Sequence, residues 1–411
     1  MGDLVRLESR HLRRQLRTFR PLPRQRMAAA EGVLVQFSSN DYLGLALHPE
    51  IRAAAAAAAA EWGAGAGAAR LVCGTSEVHE ALERALAAYK GTESALTFTS
   101  GYAAALGVIP AVVGPGDCVV LDRLSHACLV DAARLSGARL RVFRHNDTED
   151  LDRILRWAAE ARGRGFRNGT GSRGMASGVE GGTGGRVLIV TESVFSMDGD
   201  RAPLREIVEL KEHHGAWLMV DEAHATGIAG PGRRGVIEQL ALEGRVELPM
   251  GTLGKALGAA GGFVTGSATL IEFLLNRARS FVFSTAPPPA VAAAATAAVG
   301  LVRSAAGADL VARLQANVET MHRGLIGLGW TLPPPVSPIL PLHVGDENAA
   351  VRLAGALREV GFLVPAIRYP TVPRGRARLR VTVSAAHEPD DIAAFLSVLP
   401  KALSRAGLRP T

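Results

Sequence analysis

Apolar and polar positions change period along this chain, and the changes mark its elements. Residues 2–18 place Leu4, Leu7, Leu12 and Leu16 among arginines. That spacing predicts one amphipathic helix, ended by Pro21 and Pro23. Residues 33–37 read as a strand and 38–41 as a polar turn. The alanine run 53–60 is helical by propensity, and glycines alternating with alanine over 63–67 break it. From Ser76 the pattern becomes regular: a helix to Lys90, a strand at 94–99, a helix opening at Ser100-Gly101-Tyr102, and strands at 118–121 and 140–144. A helix at 150–161, a strand at 186–191, a helix at 203–213 and strands at 217–220 and 246–250 follow. Strands alternating with helices predict an α/β fold with a mostly parallel sheet covered on both faces.

Two stretches leave that rhythm. Glycine, serine and arginine dominate 162–185 without an apolar period, which predicts a mobile surface loop. The triple proline at 287–289 precedes helices at 290–304 and 308–327, a strand at 339–343, a helix at 347–360, a strand at 376–383 and a closing helix at 388–404. We therefore expect an N-terminal segment over 1–48, a large α/β domain over 49–286 and a smaller α+β C-terminal domain over 287–411.

At 411 residues the chain has room for two or three domains of about 150 residues each. With 48% hydrophobic and 21% charged residues it can bury a sizeable core. The net charge of +7 could mark an acidic partner, but only four residues are lysine and arginine supplies the other basic positions. The excess is a chain-wide arginine bias, so no nucleic-acid partner is expected. Cys73, Cys118 and Cys128 form no CxxC pair, which suggests a reducing compartment and no metal site. The amino terminus lacks an apolar signal core, and the charge-free run 280–302 is broken by proline. A cytoplasmic protein with no membrane partner is the expectation.

The chemistry concentrates between Trp217 and Gly262. An apolar run ends in Asp221-Glu222-Ala223-His224, which places titratable groups at the carboxyl edge of a sheet, where α/β folds bind ligands. A helicase also carries DEAH, but it needs a preceding GxxxxGK[ST] loop. The stretch around Lys255 has Pro249 in place of the early glycine, Ala256 after the lysine, and lies after the acidic motif. The glycines at 63–67 follow a helix, so they are a helix stop and no dinucleotide fingerprint.

Lys90, Lys211 and Lys401 lie on predicted helices and read as solvated surface charges. Lys255 alone lies in an apolar, glycine-rich setting, Gly251 to Gly258, where desolvation would lower its pKa and make it a nucleophile or base. A Schiff-base lysine calls for a cofactor, commonly pyridoxal phosphate. Asp221 could pair with the pyridine nitrogen and His224 could reach the phenolic oxygen. Gly101 and Tyr102 open a helix whose N–H groups suit a phosphate, and Tyr102 could pack on the ring or only in the core. His126 could stack on the ring or be a polar turn residue, and Ser196 and Thr252 offer hydroxyls near strand ends.

Longer motifs give a specific resemblance. The stretches are FSSNDYLGL (37–45), DRLSHACL (122–129), RHND (144–147), VFSMDGD (194–200), AIRYPTVP (366–373) and ARLRVTVSAAH (377–387), with the two motifs above. The chain resembles the α-oxoamine synthases, enzymes of the fold-type-I, aminotransferase-like pyridoxal-phosphate class. These condense an amino acid with an acyl thioester and lose CO₂. The member it resembles most joins L-alanine to a pimeloyl thioester in biotin synthesis, and Cys73-Gly74-Thr75 and the stretch Gly251 to Gly258 also resemble a sister that joins glycine to acetyl-CoA. The resemblance implies that Lys255 carries the cofactor, Asp221 faces its pyridine nitrogen, and His224 and Ser196 lie near its phenolic oxygen. It further implies that His126 stacks on the ring, that Gly101, Tyr102 and Thr252 hold the cofactor, and that Thr285 adds a phosphate contact across a homodimer interface. Arg380 matches the position that grips the amino-acid carboxylate, as a guanidinium can do bidentately. Arg17 and Thr371 match substrate-contacting positions and Asn40 lies by the same site, although residue type alone leaves Arg17 equally a surface charge. The implied partners are small molecules, an amino acid with an acyl-CoA, or an acyl-carrier protein.

Overall fold

The computed structural model describes residues 2–9, 12–162 and 185–410. Almost all of the glycine-rich stretch expected to be a loop lies outside them. Contacts divide the chain into a smaller unit (Met1–Leu47, Ser196–Asp200 and Ala306–Thr411) and a larger one (His48–Phe195 and Arg201–Ala305).

The chain opens with α1 (Gly2–Ser9), β1 (Arg20–Leu22), β2 (Arg26–Ala29) and β3 (Gly32–Gln36). The long first helix expected from leucine spacing stops at Ser9, and residues 12–19 have no regular structure. Leu12 is buried whereas Leu16 is fully exposed, so the stripe never packs as one face. Four arginines within 10–17 also repel one another along any helix built there.

The larger unit then runs α2 (Pro49–Trp62), α3 (Glu77–Lys90), β4 (Ser94–Phe98), α4 (Gly101–Val112), β5 (Cys118–Asp122), α5 (Ala127–Leu135), β6 (Arg139–Phe143) and α6 (Thr148–Arg162). It continues with β7 (Val187–Glu192), α7 (Leu204–His213), β8 (Trp217–Asp221), α8 (Val236–Gln239), β9 (Leu248–Thr252), β10 (Gly262–Gly266), α9 (Ala268–Arg277), α10 (Arg279–Val282) and α11 (Pro289–Arg303). Its seven strands pair in the order β4-β10-β9-β8-β7-β5-β6. All run parallel except β10, which is antiparallel to β4 and β9. Alternate strand residues feed two cores. Val119, Leu121, Leu188, Val190, Met219 and Met250 pack with α4, α5 and α9, while Val120, Ile189, Leu218 and Val220 pack with α6 and α7. Apolar side chains on both faces explain why these strands read as continuous hydrophobic runs.

Two expectations change here. The triple proline does not begin the smaller unit: Pro289 starts α11, and α11 packs on α2 and α3 inside the larger one. Both α2 and α11 are alanine-rich, and small side chains let two helices approach closely. The N-terminal residues, expected as a separate segment, group with the C-terminal residues. There β3 pairs in parallel with β12 (Phe362–Leu363), after α12 (Ala305–Gly327), β11 (Ile339–Gly345) and α13 (Glu347–Glu359). The unit closes with β13 (Ala366–Ile367), β14 (Ala377–Thr382) and α14 (Pro389–Ala406), the strands pairing as β11-β14-β13. Among the described residues, no single helix is long and apolar enough to cross a membrane.

Candidate active site

Parallel strands end together, so whatever residue finishes each one contributes to a common edge. In the larger unit β5 ends at Asp122, β7 at Glu192 and β8 at Asp221. All three carboxylates are buried, with Asp221 5% exposed and Glu192 2%. Asp221 and Glu192 are opposite each other in the β7–β8 register. Burial raises the pKa of Asp221, and the nearby Lys255 charge opposes that rise. One Asp221 oxygen accepts from the Ala223 N–H at 2.8 Å, which turns the chain back toward the buried His224.

Lys255 enters from the turn after β9, and its Nζ lies 2.7 Å from His224 Nε2. At the end of β9, Thr252 Oγ1 donates to the Gly261 carbonyl at 2.9 Å and accepts the Gly254 N–H at 3.2 Å, which fixes that turn. The neighbouring strand start needs glycine at 262, since a Cβ there would lie 2.6 Å from Gly101 backbone atoms. At Gly101 itself a Cβ would find only ordinary contact with Thr252. Ser100 caps α4 by accepting the Ala103 N–H at 3.0 Å, which leaves Gly101 and Tyr102 heading a twelve-residue helix. Tyr102 is 43% exposed, and its hydroxyl donates to Asp131 at 2.5 Å.

His126 caps α5. Its own amide donates to Glu192 Oε1 at 2.6 Å. Its ring Nδ1 accepts the Cys128 N–H at 3.3 Å and lies 3.0 Å from Cys128 Sγ. An Nδ1 occupied as acceptor leaves the ring proton on Nε2. The surrounding protein lowers the His126 pKa, which favours that neutral form. Thr285 stands apart on an exposed segment whose backbone bridges to Ala69. Among the described residues no hydrogen bond ties it to the Lys255 group.

Two of the lysines read as surface charges are buried. Lys90 Nζ donates to Glu222 Oε2 and Thr226 Oγ1, both at 2.9 Å, and to the Arg234 carbonyl. Lys211 pairs with Glu247 at 2.6 Å. The sequence hid both because each partner lies far along the chain. A helix surface pattern says nothing about a carboxylate delivered from just after β8 or just before β9.

In the smaller unit Arg380 sits on β14 and is 7% exposed. It donates to the Ser196 carbonyl at 2.5 Å, to Asn40 Oδ1 at 3.0 Å and to the Tyr42 hydroxyl at 3.4 Å. Every one of these acceptors is neutral. Its neighbour Arg378, by contrast, pairs with Asp198. A buried cation without a fixed carboxylate is costly unless an anion arrives, so this arrangement suits a carboxylate ligand. Thr371 is exposed and accepts from Arg14 at 3.0 Å, whereas the expected Arg17 is an exposed side chain on an irregular stretch. Sequence reasoning missed Arg14, Tyr42, Glu192 and the Lys90–Glu222 pair. Of these, Glu192 left a signal: it ends an apolar strand, as Asp122 and Asp221 do.

The larger unit's donor set fits pyridoxal phosphate. A buried carboxyl with a raised pKa calls for a cationic partner such as a pyridinium, and an amine held against an imidazole suits an aldehyde. The N-terminus of α4 supplies N–H groups and the positive end of a helix dipole for a phosphate.

Residues 33–399 match the family model for aminotransferase class I and II. The chain is 45% identical to the 8-amino-7-oxononanoate synthase of Geobacter sulfurreducens, over 99% of this chain and 98% of that one. Among solved structures it is similar to a serine palmitoyltransferase from S. paucimobilis with PLP–myriocin bound, at 30% identity and a TM-score of 0.87, covering 99% and 97% of the two chains. It is also similar to an 8-amino-7-oxononanoate synthase from Francisella tularensis, at 25% identity and a TM-score of 0.71, covering 90% and 98%.

Proposed function

This chain belongs to the aminotransferase class I and II family, and we propose that within it the protein condenses L-alanine with pimeloyl-CoA, or a pimeloyl carrier protein, to 8-amino-7-oxononanoate. The thiol carrier and CO₂ are the other products. It acts as a pyridoxal-phosphate-dependent acyltransferase of biotin synthesis, working as a cytoplasmic homodimer. One observation carries the reading: a lysine amine 2.7 Å from a buried histidine, beside a buried aspartate at a strand end. The substrate pair comes from the near full-length likeness to the Geobacter sulfurreducens enzyme.

When bound, pyridoxal phosphate supplies an electron sink beside the substrate's amino carbon. Lys255 is the attachment point and, once released from it, the base that takes the α-proton of alanine. His224, 2.7 Å away, orients that amine. Asp221 holds the positive pyridine nitrogen, and charge on that nitrogen in turn keeps the aspartate ionised against the burial that raises its pKa. His126, with its ring proton fixed on Nε2, stacks on the cofactor. Gly101, Tyr102 and Thr252 receive the phosphate end, with Thr285 from a second copy. Ser196 lies toward the cofactor's phenolic oxygen, and Arg380 takes the alanine carboxylate, with Asn40, Thr371 and Arg17 around the substrates.

Borohydride reduction of the protein loaded with pyridoxal phosphate, followed by peptide mass analysis, should find the pyridoxyl group on Lys255, and an adduct elsewhere would overturn the role. An assay crossing alanine, glycine and serine with pimeloyl-, acetyl- and long-chain acyl-CoA tests the substrates. Alanine with pimeloyl-CoA is the expected best pair. If glycine with acetyl-CoA won, the biotin reading would fail while the cofactor reading stood.

A further inference from the structure

The edge of the larger sheet carries a row of three acids, and they differ in what solvates them. Asp122 on β5 accepts the Leu124 N–H at 2.8 Å, the His145 ring at 2.9 Å and the Asn146 N–H at 3.0 Å. Three donors can carry a carboxylate's charge in a buried site. Asp221 on β8 has the Ala223 N–H and, in the proposed function, the pyridine nitrogen. Glu192 on β7 lies between them in the strand order. Among the described residues its side chain has one hydrogen-bond donor, the amide of His126 at 2.6 Å. Its backbone cannot drift from Asp221, because the Ser193 N–H donates to the Asp221 carbonyl at 2.9 Å.

A row of buried like charges cannot all ionise at once, and the member with the fewest donors keeps its proton. The charged groups facing Glu192 are Asp221 and Asp122, which disfavour its ionisation, and Lys255, which favours it. Burial is the largest influence, and together they push its pKa up to about 8. The carboxyl's other task is geometric: an uncharged carbonyl oxygen still accepts the His126 amide, and that amide starts the helix on which the ring is held.

We propose that Glu192 is a positioning residue for the cofactor: it holds the His126 backbone with an uncharged carboxyl, so that Asp221 alone carries the negative charge meeting the pyridine nitrogen. The idea rests on the proposed cofactor role of the site. Glu192 touches no reacting atom. Its effect runs through where the His126 ring lies and through the single charge left on Asp221.

Two variants separate these parts. E192Q keeps a neutral oxygen acceptor of the same reach, and E192L removes the acceptor. The readouts are pyridoxal phosphate affinity by spectroscopic titration, apoprotein melting temperature, and the infrared difference spectrum of wild type against E192Q at neutral pH. E192Q should bind the cofactor within about twofold of wild type. E192L should bind about tenfold or more weakly, the cost of orphaning a buried N–H. The infrared difference should contain the carbonyl stretch of a protonated carboxyl. The proposal is overturned if that band is a carboxylate's, if E192Q loses as much affinity as E192L, or if a folded E192L binds like wild type. Should E192L fail to fold, the infrared band and the E192Q affinity still decide. If wild type itself fails to bind pyridoxal phosphate at Lys255, the cofactor reading falls first, and the infrared band then reports Glu192 alone.

Discussion

Lys90 and Lys255 both lie in the larger unit, and their surroundings differ in a way that separates a structural charge from a chemical one. Lys90 is locked: its ammonium has three acceptors, one of them the Glu222 carboxylate, and a glycine at 235 is required because a Cβ would lie 2.3 Å from the Glu222 oxygens. Lys255 is half-buried and held against a histidine that can itself take or give a proton. A residue meant to form and break a covalent link needs a replaceable partner, whereas a residue that fixes a loop needs partners that never leave. Burial alone therefore does not find the reactive lysine. The kind of partner separates the two: Glu222 is a carboxylate fixed on Lys90, whereas Lys255 lies against the His224 ring.

The largest effect expected follows at once. K255A should lower kcat by more than about 10⁴-fold, beyond what a general base contributes, because attachment and proton transfer both depend on that amine. Its melting temperature as apoprotein should stay near wild type. Steady-state kinetics with alanine and pimeloyl-CoA, beside a melting curve, check both. A variant that melted early and kept measurable turnover would place Lys255 in the same class as Lys90.

K90M should do the reverse. Removing one partner of a buried pair leaves Glu222 as an uncompensated charge, at about 3–5 kcal/mol. Glu222 also accepts the Ile237 N–H at 3.0 Å, so K90M/E222Q keeps that acceptor, removes the charge and should recover more than half of the loss. Urea denaturation of wild type, single and double variants measures it. If the single variant were as stable as wild type but inactive, the comparison would break, because Lys90 would then be acting in chemistry.

How much of this was readable beforehand follows the same division. The strands β5, β7 and β8 were visible because both of their faces are buried, which leaves unbroken apolar runs. β10 was not: two glycines end it, and its antiparallel place between β4 and β9 is set by pairing partners far away in the chain. The candidate residues Asp221, His224 and Lys255 lie within short motifs, so local pattern sufficed to single them out. Lys90 depends on a carboxylate 132 positions further on, and Arg380 on neutral acceptors from two other segments. The early end of α1 and the placement of α11 failed for one reason: periodicity shows which face is apolar without showing whether anything covers it.

His387 extends the contrast to a group frozen in one protonation state. It is stacked on Phe37 with centroids 4.1 Å apart, its Nδ1 accepts the Ser384 N–H at 2.9 Å and its Nε2 lies 2.8 Å from the Gln36 carbonyl. A second proton would have to point at an N–H, and burial lowers the pKa to about 4 from 6.5. The unfolded chain therefore binds this proton first as pH falls. Stability present above pH 6.5 should decline between there and about pH 4, by about 3 kcal/mol. Asp41 works in the opposite direction, since burial raises it to about 6 from 3.8 and acidification relieves it. The difference between wild type and H387Q isolates the histidine: their gap in urea midpoint should shrink steadily across that window. A constant gap would mean that the ring is protonated inside the fold.

Arg380 is the sharpest and smallest test, because by burial it resembles Lys90 and by partners it does not. Its hydrogen bonds reach the Ser196 carbonyl, Asn40 and Tyr42, with no carboxylate among them. A structural cation would have been given one, as Arg378 has been given Asp198. R380K keeps the positive charge but replaces a planar fork with a point charge, so the bidentate hold on alanine's carboxylate should be lost while the fold survives. The expected cost is about 1.5–3 kcal/mol of alanine binding, a rise in KM of roughly 10- to 100-fold with little change in KM for the acyl thioester. Cofactor affinity should stay unchanged, since the substitution leaves the Lys255 group intact. Equal rises in both KM values, or a fall in stability of the size expected for K90M, would assign Arg380 to the framework and leave the amino-acid carboxylate to be bound elsewhere.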